Sequence, residues 1–159
     1  MPKEIFFNIS LFLGILLLIN VPALFIGLRF EGNSLRKRLW FEPAGFVIPI
    51  VWIGLFLFLA YLRYQLILLN ALDLARMVIV LAVVCATYAY YTLGLEKLTG
   101  VSALKFGLIG NGLIIISAIK IGVEVAEVSK SLSYLIYPIV VWTFFASMIL
   151  VGQLRIQKA

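Results

Sequence analysis

The chain contains no histidine and a single cysteine, Cys85. Without histidine it lacks the commonest general base, the commonest metal ligand and the usual axial ligand of haem. Any catalysis would then rest on carboxylates, tyrosines or the chemistry of a bound pigment. One cysteine excludes a disulfide within the chain, and a lone thiol in mid-span behaves as a small apolar side chain. Charge is scarce too: Asp, Glu, Lys and Arg make up 13% of the 159 residues, against 64% hydrophobic. Every charged residue falls near the end of an apolar segment, which argues against an ion pump, since pumps need ionisable groups inside the membrane. No Gly/Ser linker or low-complexity tract interrupts the sequence, so no separate soluble domain is expected.

What the chain has instead is apolar length. Its mean hydropathy is +1.15, and a soluble domain of this size needs far more polar surface. Crossing the hydrocarbon core takes about 20 apolar residues. Five segments qualify: Ile5–Leu28, Gly45–Leu66, Leu72–Leu93, Val101–Val123 and Leu132–Leu154. The expected fold is an all-α integral membrane protein, a five-transmembrane-helix bundle forming one domain over residues 1–159. Met1-Pro2-Lys3 ahead of an apolar run resembles a signal peptide. The run outlasts the usual h-region of about 7–15 residues and no small-x-small site ends it, so a retained first helix is expected.

The net charge of +6 matters through its distribution. With loops assigned alternately to two sides, Lys3, Arg63, Arg76, Lys120 and Lys130 share one side. Arg29, Arg36, Lys37, Arg38, Lys97, Lys105, Arg155 and Lys158 share the other. The richer side is expected inside, which puts the amino terminus outside and the carboxy terminus in the cytoplasm. Topology and anionic lipid account for the basic excess, and no nucleic-acid partner is needed.

Several residues stand out along these spans. Arg36-Lys37-Arg38 runs into Trp40-Phe41-Glu42-Pro43-Ala44-Gly45-Phe46-Val47-Ile48-Pro49-Ile50-Val51-Trp52, an aromatic, proline-containing segment suited to a membrane boundary. Pro22 predicts a kink in the first helix. Trp52, Phe56 and Leu59 share a face of the second helix, either as packing and lipid-facing aromatics or as a pocket wall. Arg63 lies where its stem can reach the interface, and Asp73 with Arg76 forms a local ion pair. Thr87, Tyr88, Tyr90 and Tyr91 form either an interfacial belt or the mouth of a pocket. In the fourth span Ala103, Gly107, Gly110 and Ser117 make a small-residue stripe for close helix packing, within the bundle or between subunits. Asn111 beside it suits an interhelical hydrogen bond. Gly107-Leu108-Ile109-Gly110-Asn111-Gly112 follows no strand and is not a dinucleotide loop.

The Trp40–Trp52 segment is similar to the loop-to-second-helix signature of the TspO/MBR family, the tryptophan-rich sensory or translocator proteins. With the terminal tryptophan matched at Trp52, Pro43, Phe46, Val47, Val51 and Trp52 fall on family positions. Ala44 replaces the second proline of a Pro-Pro pair, and Pro49 comes one position early. Tyr137-Pro138-Ile139-Val140-Val141-Trp142-Thr143-Phe144-Phe145-Ala146 resembles the family's fifth helix, with Tyr137, Pro138, Trp142, Phe145 and Ala146 in register. The Leu-Asn that follows in the family is Ile149-Leu150 here, and the third span lacks the family's Trp and Asn. A loose cholesterol-type pattern occurs only at Leu59-Ala60-Tyr61-Leu62-Arg63.

The resemblance implies a commonly dimeric five-helix bundle with a pocket beneath the first loop that accepts porphyrins, sterol-like lipids or aromatic drugs. Carried over by position, the ligand-binding set is Trp40, Pro43, Phe46, Ile48, Trp52, Phe56, Tyr91, Trp142, Phe145 and Ala146. Trp52 and Trp142 would form facing walls, with Phe56, Phe145 and Ala146 as the floor. Arg36-Lys37-Arg38 would either meet ligand propionates or serve as a topology and lipid-headgroup signal. No obligatory cofactor, metal site or catalytic residue is implied. The implied partners are a porphyrin or sterol-like molecule, membrane lipid and a second copy of the chain. Three roles compete: a binding protein with a transport, sensory or regulatory task, an enzyme promoting light- or oxygen-dependent porphyrin breakdown, and a structural subunit of a membrane complex.

Overall fold

Proline placement marks where the long helices start. The computed structural model describes residues 2–28 and 39–158. Its helices are α1 (Pro2–Phe25), α2 (Val47–Leu68), α3 (Leu72–Ala86), α4 (Leu95–Thr99), α5 (Ala103–Val128), α6 (Lys130–Ser133) and α7 (Tyr137–Lys158), with a π-helical turn over Tyr90–Gly94 ahead of α4. Pro2, Pro49 and Pro138 lie in the first turns of α1, α2 and α7, where a missing N–H costs no intrahelical bond. No strand occurs among the described residues.

Four helical stretches are long and apolar enough to cross a membrane: Lys3–Phe25, Val47–Leu68, Ala103–Val128 and Lys130–Ile156. The architecture is that of an all-α, multi-pass membrane protein. The expected third span, Leu72–Leu93, is not a single straight helix. It is replaced by Leu72–Ala86 and Tyr90–Thr99, bent by 51° at the break, and the count rises to five if this pair is one span.

Side-chain hydroxyls account for the break. Thr87 Oγ1 donates to the Val83 and Val84 carbonyls (3.1 and 3.0 Å), and Thr92 Oγ1 donates to the Tyr88 carbonyl at 2.6 Å. Such back-bonding competes with the backbone ladder and bends helices. The bent arm is then tied to its neighbours. Tyr90 Oη donates to the Ile19 carbonyl of α1 at 2.9 Å, in the turn preceding Pro22. Lys97 Nζ donates to the carbonyls of Ile26 and Gly27 (3.3 and 3.0 Å), capping the negative end of α1.

Two helix ends close with the same turn. Gly27, at φ 74°, lets Gly27 N–H reach the Leu24 carbonyl and Leu28 N–H reach that of Ala23. This paired pattern is the Schellman motif. Asn70, at φ 56°, does the same for α2: its N–H donates to Ile67 and that of Ala71 to Leu66. Asparagine tolerates the left-handed conformation better than other non-glycine residues. Asn70→Ala is therefore expected to lower unfolding free energy by about 1 kcal/mol while Asn70→Gly does not, measured by denaturation in mixed micelles.

The core is common to the bundle. Phe12 of α1, Phe56, Leu59, Leu62 and Leu66 of α2, Val78 of α3, Ile114 of α5 and Ile136 and Ile139 near the start of α7 are fully buried. Cys85 is buried among them as a small apolar side chain. Arg63 does not snorkel freely: Nη1 donates to Oδ1 of buried Asn8, and Nδ2 of Asn8 donates to the Glu4 carbonyl at 2.8 Å. The pairing joins the end of α2 to the start of α1. Asp73 and Arg76 form the expected exposed ion pair at 3.1 Å.

The α5 stripe is used inside the chain, with one correction. Ala103, Gly107 and Gly110 are buried, but Ser117 is exposed and Ala118 is buried instead. A strict seven-residue step drifts by about 20° per heptad around a straight helix, so the seam reaches residue 118 by that level. A Cβ at Gly107 would stand 2.7 Å from Tyr88 Oη and 2.9 Å from Leu150 Cδ1. One at Gly110 would enter the Tyr91 ring. These glycines let the tyrosines of the bent arm and α7 close on α5. Asn111 makes the expected interhelical bond, donating to Ser147 Oγ of α7 at 3.1 Å.

Candidate functional site

Two helix faces of matching spacing define an open cleft. Val51, Gly54, Leu55 and Phe58 follow one another at helical spacing along α2. Pro138, Val141, Trp142 and Phe145 do the same along α7, with Tyr134 and Tyr137 extending the wall. Because α2 packs mainly on α1 and α3 while α7 packs on α5, a cleft of about 730 Å³ is left between α2 and α7. That lies within the range of roughly 300–1,000 Å³ typical of small-molecule sites. Between Val51 and Phe58 it follows α2 for about 10 Å. The phenols of Tyr134 and Tyr137 and the indole N–H of Trp142 are the hydrogen-bonding side-chain groups of the described residues on its wall.

The end of the first loop is strapped across α7 beside this cleft. Glu42 N–H donates to the Leu39 carbonyl at 3.1 Å, and Glu42 Oε2 accepts from Leu39 N–H at 3.3 Å. The same oxygen accepts from Nε2 of fully buried Gln153 at 2.7 Å. Leu39 sits against Gly152, where a Cβ would stand 2.7 Å from Leu39 Cδ1. The Phe41 ring meets Phe145 edge-on at 6.4 Å, and Phe145 lies 5.7 Å from Trp142. A buried amide stripped of its partner costs about 1–3 kcal/mol. Glu42→Ala is thus expected to cost that much stability, whereas joint replacement by Glu42→Leu and Gln153→Leu costs less, as read from thermal denaturation.

The structure separates the sequence-derived site residues into groups. Trp142 and Phe145 line the cleft. Trp52 is half-buried beside Phe56, their rings 6.3 Å apart, and is not on the cleft wall. Phe56 is sealed in the core, edge-on to Phe12 at 6.5 Å. Pro43 and Ala146 are half-buried, and neither lines the cleft. Phe46 and Ile48 are exposed, and Trp40 is 94% exposed with its ring 5.4 Å from Phe41. Tyr91 does not line the cleft; it is packed on Tyr88 at 5.4 Å and fills the notch at Gly110, with its hydroxyl buried and unpaired. Arg36-Lys37-Arg38 lies outside the described residues.

Gly54, Leu55, Phe58, Tyr134 and Val141 line the cleft although no matched motif position pointed to them, and they are joined there by Val51, which did fall on a family position. Their repeating three- and four-residue spacing was the available signal, and it was lost among equally apolar neighbours. Among the described residues, no cluster of three or more Cys, Asp or Glu side chains is placed to hold a metal. Comparison with family models, with curated proteins and with solved structures finds no match.

Proposed function

We propose that the chain is a five-span membrane protein of the TspO/MBR type that binds a flat hydrophobe, a tetrapyrrole or a sterol-like lipid, in the cleft between α2 and α7. The observation that carries this reading is the wall itself: Trp142 and Phe145, backed by Phe41, form a connected aromatic surface in a cleft that Phe58, Tyr134 and Tyr137 also line. Aromatic faces favour flat ligands through offset stacking and dispersion. With no charged side chain on the wall, ligand carboxylates would have to stay outside the cleft. The role is binding in the service of transport, sensing or regulation. A homodimer would use faces other than Gly107 and Gly110, which the chain's own side chains cover.

Titration of the bilayer-reconstituted protein with protoporphyrin tests the reading. A saturable red shift of the porphyrin absorption band with quenching of tryptophan emission is the expected result, and its absence would remove the tetrapyrrole reading. With five spans, the bias of Lys and Arg toward one set of loops would put the first loop on the cytoplasmic side. In a Cys85→Ser background, a Ser34→Cys site should be labelled from the inner side only; labelling from outside reverses the orientation.

A further inference from the structure

Resting on the ligand reading above, the geometry points to Gly54 as the residue that sets which ligands the cleft accepts, with the bilayer as the phase they come from. The end of the cleft beneath the strap is held at three points: Leu39 on Gly152, Glu42 on Gln153, and Phe41 on Phe145. Its long side is open. Val141 on the wall is 68% exposed, and Phe58 opposite is exposed as well. At mid-span such exposure faces lipid tails, so the open side gives onto hydrocarbon rather than water. Helical backbone has its polar groups satisfied internally, and no charged side chain lines the wall. The occupant's buried part is accordingly uncharged, of a kind already dissolved in the bilayer.

Gly54 differs from the glycines that serve packing. At Gly107, Gly110 and Gly152 an added Cβ would collide with a neighbour, whereas at Gly54 it would meet nothing within 4 Å. Other glycines are open too, but among them Gly54 alone lines this cleft. Glycine within a helix carries an entropic cost relative to alanine, and no neighbouring helix requires it here. Its missing side chain adds to the width of the cleft between Val51 and Phe58. A large side chain there would fill space that the fold leaves empty, without disturbing the buried face of α2, which carries Phe56 and Leu59.

The test uses the full chain in lipid nanodiscs, with Trp40→Phe and Trp52→Phe so that Trp142 alone reports. The probes are protoporphyrin dimethyl ester, which is uncharged, and protoporphyrin, both given as mole fraction in the bilayer. The ester is expected to bind at least as well as the diacid. Gly54→Ala should retain affinity within about threefold, while Gly54→Phe should lose about tenfold or more with a thermal midpoint no lower than the parent's. Gly54→Leu runs beside it in case the larger variant does not fold. A folded Gly54→Phe or Gly54→Leu variant that binds like the parent overturns the inference, as does binding of the diacid without the ester, which would mean access from water. A change in dimer fraction in place of affinity overturns it too, since the cleft would then hold a helix of a second copy. If the parent binds neither probe, the tetrapyrrole reading itself fails, independently of Gly54.

Discussion

Gly110→Ala is expected to lower unfolding free energy by about 3 kcal/mol, the largest effect of a single added methyl group at any glycine among the described residues. An ideal Cβ at that position would stand 2.9 Å from Tyr91 Cζ and closer still to Cε2. Displacement is the only relief, and the ring has little room for it. Tyr91 is packed edge-on against Tyr88, and Tyr88 in turn presses on Gly107, where a Cβ would meet its hydroxyl. Overpacking a filled interior costs typically about 1–3 kcal/mol, and here two interlocked rings must move together. The check is a double-mutant cycle in mixed micelles. Tyr91→Ala alone should cost stability, and adding Gly110→Ala to it should cost much less than Gly110→Ala alone, with a coupling energy of about 1–3 kcal/mol. Strict additivity would mean that the ring and the glycine do not touch. Gly107→Leu should act in the same direction through Tyr88 and Leu150.

Trp142→Ala is expected to weaken porphyrin binding by about 1–2 kcal/mol, from lost stacking and dispersion. Trp142 stands on the cleft wall against Phe145, which in turn meets Phe41 on the strap, so its removal takes the largest ring from the aromatic surface. Trp52→Ala separates two pictures of the site. If the ligand occupies the α2–α7 cleft, Trp52 lies off its wall, and its loss should affect stability more than affinity. A larger effect on affinity at Trp52 than at Trp142 would put the ligand deeper, toward the Phe12–Phe56 core. Free-base and zinc-loaded porphyrins should bind alike, because the chain has no histidine to supply an axial ligand. A strong preference for the metalated form would replace stacking by ligation from Tyr, Met or Cys85. Both variants should be compared with the parent by isothermal titration and by thermal midpoint.

Much of the architecture can be read from the residues alone, and the reasons are local. Apolar length identifies the spans, and four of them lie within a few residues of their expected limits as long helices. First-turn prolines mark the starts of α2 and α7. The glycines of α5 announce close packing, and Asn111 a bond across the seam. What could not be read is equally specific. Thr87 and Thr92 bend the third span through hydroxyl bonds that compete with the helical ladder, a competition whose outcome local propensity does not decide. Ser117 and Ala118 exchange roles because the true helical period departs from seven. Glu42 and Gln153 are 111 residues apart and share no motif, yet one partly buried hydrogen bond joins them.

The sequence by itself determined that the chain is helical, lipid-embedded and poor in the groups that catalysis and metal binding use. Only the tertiary structure decided which side of each helix faces inward. In water the two sides of a helix differ in polarity, and a pattern of apolar positions reveals the buried one. In lipid both sides are apolar, so burial follows from shape and close contact instead. Phe56 and Phe58 are the same residue type two positions apart, yet one is sealed in the core and the other stands exposed at the cleft. That difference arises from the neighbours each meets, Phe12 for the first and the open space beside α7 for the second.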